Sequence, residues 1–495
     1  FLILCGFRWS WPSAYQGESF QADENAAIHS VYEIHSPDFN PKWFGWGTGL
    51  FYQAYAVKTA LVATHLYALR YRQLLVIGRL IVFASALGAI TALFFLGRKL
   101  FDERTGWLAA IILAVLPAFV INGHYFKTDI PATFWIMLTL LVACHLIESG
   151  NPRFIPILGF LAGYSASMKY NASVVFVSGC VAIILASRGF RKGYSWIYYF
   201  GSVLGGFLFG EPHFLFHFQD VLNDIQWVGS LNRIGAPYWV ARLPGWMDYP
   251  LNVMPYSMTT PFLLIAAVAL IWILATHLLK CLPLLVFILG YFSFFAIDNA
   301  RLVRYTVPLL PIAALFVASF LIQAKQWRLT KFIVTPLLPV LLAYIFVFSF
   351  SYVRTFAATD PRIAASQWIE QHLPAGQAIP SVLTGRWNVP QYERIGYKKL
   401  EIAYSIPDLN RAESPYLVVS QYSTFAYDQA AKYYPKQEAF LTYVAQHYTQ
   451  VAKFENSQKL LGIDSKAGSK LPLDWLHPNP KITILVRRDD ADRGD

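Results

Sequence analysis

Long apolar runs recur from residue 75 to residue 351, and they decide what solvent most of this chain folds in. A backbone placed in hydrocarbon must satisfy its own hydrogen bonds, so such runs become helices. Of the 495 residues, 14% are charged. An ordinary soluble domain carries about 25%, and the shortfall lies in the runs. A span takes about 20 apolar residues. Runs of that kind stand near 75–97, 106–122, 130–147, 154–168, 172–186, 196–212, 258–279, 282–297, 304–323 and 331–351. The opening Phe1-Leu2-Ile3-Leu4-Cys5-Gly6 reads as the tail of one more, its start lying outside the chain. The expectation is an all-α polytopic membrane protein of about eleven transmembrane helices.

Positive charge orients these helices. Arg98, Lys99 and Arg104, then Arg153, then Arg188, Arg191 and Lys192, then Lys280, then Lys325, Arg328 and Lys331 fall in alternate short connections of cytoplasmic type. The opposite set holds the long loops 7–74 and 211–257 and the short links at Lys127, Lys169 and Arg301. Arg70 and Arg72 run against the bias, so the rule holds in bulk. The net charge of +11 is scattered over span ends with no basic, aromatic-interleaved module. Nucleic acid is therefore excluded as a partner; membrane lipids and a phosphate-bearing lipid substrate are expected instead. Cys5, Cys144, Cys180 and Cys281 lie in or beside apolar runs and offer neither a disulfide framework nor zinc spacing.

The composition changes near 352. Asp360-Pro361 is a helix start, and Ile363, Trp368, Ile369 and Leu373 give that helix an apolar face. Strand-like runs follow at 379–383, 416–420 and 482–487, with a helix near 436–448. The division expected is a transmembrane domain, 1–351, and a small extracytoplasmic α/β domain, 352–495.

Candidate site residues sit at external span ends. Asp23 and Glu24 are adjacent in the first loop. Carboxylates beside a bilayer are costly and tend to be kept for chemistry, although a surface helix with an acidic cap would look the same. Neighbours on a helix point different ways, so one can face a substrate while the other supports structure. Asp129 opens the span after the link Gly123-His124-Tyr125-Phe126-Lys127-Thr128 and is either a second acid of the same cavity or a helix cap. His124 and Lys127 are placed to contact a phosphate, although a lone His is more often structural; Lys169, Arg301 and Arg304-Tyr305 are groups at the external boundary, where most cations snorkel. Arg79 lies inside an apolar run, where a cation needs a partner; a lipid phosphate or one of the acids would serve. The loop aromatics, Trp43, Trp46 and Trp227 among them, read mainly as an interface belt.

These pieces together resemble a family. Asp23-Glu24, the following Asp38-Phe39-Asn40-Pro41 with its aromatic and Gly-rich run to Tyr55, the block from Leu96-Gly97-Arg98 to Pro117 and Asp129, and Arg304-Tyr305-Thr306-Val307-Pro308-Leu309-Leu310-Pro311 are similar to motifs of the GT-C superfamily. The nearest branch is the polyprenyl-phosphate-sugar-dependent family 39, the protein O-mannosyltransferase and aminoarabinose transferase group, of bacterial type. The resemblance covers roughly residues 1–320, and each motif alone is weak. The loop 211–257 does not resemble the β-trefoil insert of the eukaryotic enzymes.

The resemblance implies a GT-C fold and an inverting transfer from a polyprenyl-phosphate-linked sugar to an acceptor on a protein, lipid or glycan. Asp23, with Glu24 and Asp129, would supply the catalytic acids. Arg79, Lys127, Lys169, Arg301, Arg304 and Tyr305 would bind the donor phosphate. No cofactor is required, although some relatives hold a divalent metal near the two acids. The compact tail and its lack of cysteines suit a bacterial inner membrane, and the charge bias sets the Asp23 loop, the 211–257 loop and the tail on its periplasmic side. The alternative is a catalytically silent GT-C-fold subunit of a membrane complex. A transporter ranks last, because no repeated half with midplane polar groups is visible.

Overall fold

A computed structural model describes residues 1–11, 13, 17–64, 70–186, 193–233, 243–297, 300–326, 331–466 and 471–488. The basic loop residues Arg188, Arg191, Lys192 and Arg328 and the middle of the 211–257 loop lie outside them.

Helices fall where the apolar runs place them. Tyr71–Leu100, Asp129–Ser149, Phe154–Met168, Gly193–Gly210, Thr260–Thr276, Leu282–Ala296 and Lys331–Ala357 each carry one expected span. Proline accounts for a break elsewhere. The run 106–122 is two helices, Glu103–Val115 and Pro117–Asn122. Pro117 lacks an N–H and pushes Leu116 out of the helical region, to φ −63°, ψ 130°. The run at 304–323 opens as a 3-10 segment, Val303–Leu309, holding Pro308, before the α-helix Leu310–Ala324. Among the described residues four helices are long and apolar enough to cross a membrane: Tyr71–Leu100, Asp129–Ser149, Val303–Ala324 and the stretch beginning at Lys331. The pair Gly245–Met258 and Thr260–Thr276, bent by 116°, makes a fifth if it is one span. Length and composition alone thus account for four or five of the about eleven crossings expected. Residues 2–10 are a series of turns, not the end of a helix. Leu2, Ile3 and Trp9 are buried in the core.

Helix packing rests on small residues, as is usual where lipid removes the hydrophobic drive between helices. Phe154–Met168 lies so close to Gly193–Gly210 that a Cβ on Gly163 would sit 1.9 Å from the Val203 carbonyl oxygen. A Cβ on Gly206 would sit 2.1 Å from that of Phe160.

The tail is a layered α/β unit. Its strands are β1 (Ala378–Val382), β2 (Lys398–Ile402), β3 (Tyr416–Ser420), β4 (Tyr448–Phe454), the short β5 (Lys459–Leu460) and β6 (Ile463–Asp464), and β7 (Ile482–Arg487). The five-stranded sheet runs β2-β1-β3-β7-β4, parallel across β2-β1-β3 and antiparallel from β3 through β7 to β4. One face packs Ile379, Val418, Ile482 and Ile484 against Ala365 and Ile369 of the helix Pro361–His372. The other packs Ile402 and Leu417 against Phe440 and Val444 of the helix Pro435–His447. Asp360 caps the first helix, accepting the Arg362 N–H at 2.9 Å. Strands β2 and β4 were not expected. Both are edge strands with charged or polar exposed positions, so neither makes an apolar run. The tail is docked on the helices: Trp475 and Leu476 belong to the same apolar core as the spans.

Candidate active site

The first loop supplies the central carboxylate. Gln21 caps the helix Ala22–Glu33 through its side-chain oxygen, placing Asp23 and Glu24 in the first turn. Roughly 100° separates successive residues on a helix, and the two acids take different fates. Glu24 turns inward and is fully buried. It receives Arg79 Nε at 2.9 Å and the second guanidinium nitrogen at 2.8 Å, with the Phe126 N–H at 2.7 Å and the Ser19 hydroxyl at 2.6 Å. Arg79 also donates to the carbonyls of Phe7 and Trp9, at 2.7 and 2.8 Å. Glu24 and Arg79 therefore satisfy each other within the core, and neither lines the cavity described below. That geometry is a reason to assign them to structure instead of to catalysis and phosphate binding.

Asp23 faces the other way. Its Oδ2 accepts from Arg304 at 2.7 Å and lies 2.9 Å from Lys127 Nζ. Burial raises its carboxyl pKa, but Lys127 and Arg304 together more than cancel that, leaving it well below the usual carboxylate range. Asp129 lies at the start of its helix, after Thr128 at the cap. Its carboxylate accepts from Lys169 Nζ at 2.6 Å. Tyr305 bridges the two pairs: Lys169 sits 5.2 Å from its ring centroid and Arg304 5.7 Å. Two carboxylates thus face three cations across one aromatic ring.

These groups share the lining of a cavity of about 670 Å³. Trp43, Trp46, Trp227, Phe294 and Phe295 give the same cavity an aromatic wall. Gly47 brings the first loop to this wall; it adopts φ 125°, and a Cβ there would meet the Ser167 carbonyl oxygen at 2.5 Å. Carboxylates of the 211–233 segment hold the same loop. Asp224 accepts the Phe44 N–H and Glu211 the Thr48 N–H, each at 2.7 Å.

Two other candidates lie elsewhere. Arg301, at φ 48°, is 3.2 Å from the buried Asp248 and stacks on Tyr249, away from the cavity lining. His124 is buried with both ring nitrogens against carbonyls, of Val120 and Cys5, at 2.9 Å each.

Tail residues at the site escaped the sequence reading. Trp387 lines the cavity. Asp474 accepts the backbone N–H groups of Val303 and Arg304 at 3.1 and 3.0 Å. The His477 ring lies 2.8 Å from the Tyr422 hydroxyl. Burial and then Lys127 hold its pKa down to about 3, so it stands as neutral imidazole. The one signal available was a polar residue inside the apolar Leu471–Leu476 stretch. As to a metal, both cavity carboxylates are taken by cations, and among the described residues no group of three or more His, Cys, Asp or Glu is gathered to hold an ion. The residues as arranged do not fit one.

Residues 58–214 match the family model for dolichyl-phosphate-mannose-protein mannosyltransferase, a GT-C family. The matched segment holds the second-to-third span block, Asp129 and Lys169, and the resemblance to the GT-C superfamily stands on it. An uncharacterized protein of Aquifex aeolicus is 25% identical over 335 residues, spanning 65% of this chain and 62% of that relative's length. Among solved structures, the chain is similar to ArnT of Cupriavidus metallidurans bound to undecaprenyl phosphate, with a TM-score of 0.46 at 11% identity over 98% of this chain and 95% of that one. It is similar too to the oligosaccharyltransferase AglB of Archaeoglobus fulgidus, solved with an inhibitory peptide and a dolichol-phosphate, with a TM-score of 0.46 at 12% identity over 96% and 74%.

Proposed function

We propose that this chain is an integral-membrane glycosyltransferase that takes its sugar from a polyprenyl-phosphate donor and passes it, with inversion, to an acceptor hydroxyl. The reading has the transmembrane domain 1–351 carry the reaction and the domain 352–495 cover it on the extracytoplasmic, periplasmic side of a bacterial inner membrane. The single observation that carries the proposal is the cavity itself, whose lining combines Asp23, Lys127, Asp129, Lys169, Arg304 and Tyr305 with the aromatic side chains of Trp43, Trp46, Trp227, Phe294 and Phe295. An amphiphile with an anionic head and a hydrocarbon tail suits both kinds of lining.

The chemistry divides among these residues. Asp23 takes the proton of the acceptor hydroxyl as its oxygen bonds to the anomeric carbon. The bond from that carbon to the phosphate oxygen breaks, and the polyprenyl phosphate leaves carrying the electron pair. Lys127, Lys169 and Arg304 donate charge-assisted hydrogen bonds to the phosphate oxygens as that charge develops. The phosphate competes with Asp23 for Lys127 and Arg304. Donor binding thereby frees the carboxylate and restores its basicity, so Asp23 acts as base only when a donor is present. Asp129 keeps Lys169 in place.

The test is transfer from a panel of polyprenyl-phosphate sugars by the membrane-embedded chain, with product identified by mass spectrometry. Asp23→Asn is expected to lower the rate by about 10²-fold or more. A silent structural subunit would show no transfer from any donor, in wild type and variant alike.

A further inference from the structure

We propose that Asp474, a residue of the tail, is a positioning residue for Arg304, so that the transfer site is completed by the tail and not by the helical bundle alone. The inference rests on the glycosyltransferase reading and adds to it a residue that no sequence motif marks.

The segment holding Arg304 is packed in the core, with Val303 and Thr306 buried and the Thr306 hydroxyl hydrogen-bonded to that of Ser257, but its first backbone N–H groups need an acceptor from outside it. Val303–Leu309 is a 3-10 stretch whose first N–H groups have no partner within it, and Pro308 prevents it from beginning as an α-helix. Asp474 supplies what is missing. Its two carboxylate oxygens accept the N–H of Val303 and of Arg304, one each, across 170 residues of sequence. A carboxylate at the N-terminal end of a helical turn is favoured by hydrogen bonding and by the dipole together. From that anchored backbone the Arg304 guanidinium reaches Asp23 at 2.7 Å.

Asp474 is itself held. The next residue, Trp475, is 2% exposed, its indole N–H donates to the Ser465 carbonyl at 2.9 Å, and its own carbonyl accepts the Tyr352 hydroxyl at 3.0 Å. Its ring lies 4.4 Å from that of Tyr352, in the helix Lys331–Ala357. The clasp therefore joins the docked tail to the 3-10 start of a span. Loss of one such positioned contact in a transition state can cost about 10²-fold in rate.

The test uses the full chain in proteoliposomes, as wild type, Asp474→Ala and Asp474→Asn. Positioning predicts that Asp474→Ala lowers kcat at least tenfold and also raises KM for the donor, because Arg304 holds the donor phosphate as well. It predicts that the acid limb of kcat/KM, which reports the donor-free enzyme, moves to higher pH, because a displaced Arg304 no longer holds Asp23 ionised. Asp474→Asn keeps one acceptor oxygen and should recover part of kcat. A kcat and pH profile equal to wild type would overturn the proposal, as would a loss confined to the yield of folded protein. If wild type transfers nothing, the glycosyltransferase reading fails, and amide hydrogen exchange at 303–306 decides the clasp separately. Faster exchange in Asp474→Ala supports it, and unchanged protection overturns it.

Discussion

Asp23 and Glu24 are chemically near-equivalent neighbours, and the fold gives them opposite duties. Glu24 is closed in by Arg79 and two further donors. Removing its charge strands a buried guanidinium, and breaking such a pair costs about 3–5 kcal/mol. Glu24→Gln should therefore lower the thermal unfolding temperature in detergent sharply, whereas Asp23→Asn, at the wall of a cavity, should lower it far less. Asp23 also predicts a pH dependence. Its pKa is depressed in the folded state, so the ion pairs it makes stabilise the protein fully above the unfolded carboxyl value of about 3.9 and are lost as pH falls through the lower folded value. The acid limb of kcat/KM, which reports the free enzyme, should lie below the ordinary carboxylate range in wild type. In Lys127→Met it should move upward, because one of the two cations responsible is gone. This residue-level split was half legible in the sequence. Adjacent positions on a helix must diverge, and a cation inside the 75–97 run had to find a partner. Which acid would be Arg79's partner was not legible, because a contact between positions 24 and 79 depends on how two helices and a loop pack.

Elements were the most legible level. Apolar runs and the Asp360-Pro361 start mark helices because their causes, burial in lipid and a capped first turn, are local. What escaped has non-local causes. Strands β2 and β4 are made strands by their neighbours in the sheet, not by an apolar pattern of their own. The small-residue contact between Phe154–Met168 and Gly193–Gly210 is a property of two helices at once. It yields a prediction: Gly163→Val forces two methyl groups where the Val203 carbonyl already sits. Overpacking of this kind costs about 1–3 kcal/mol, so thermal unfolding of the variant in detergent should occur at a lower temperature than wild type. An unchanged midpoint would mean the helices do not meet there.

At the scale of the whole molecule, the tail and the span ends form one core, and the cavity lies where they meet. Asp474, His477 and Trp387 show why the sequence could not give this part. They are single polar or aromatic residues in stretches without a motif, and only the docking of the tail brings Trp387 to the cavity and Asp474 to the Arg304 backbone. Topology has its own check. A cysteine at exposed Lys436 in the tail should react with a membrane-impermeant thiol reagent added outside intact spheroplasts. Labelling only after permeabilisation would place the tail, and the site beneath it, on the cytoplasmic side.

The most direct measurement of the central claim is sugar transfer by purified wild type and Asp23→Asn in proteoliposomes, each confirmed folded by its unfolding curve. The account predicts a labelled product from at least one polyprenyl-phosphate sugar with wild type, and a rate lower by about 10²-fold or more with Asp23→Asn. Equal rates for the two proteins, or wild type inert toward every donor, would contradict it.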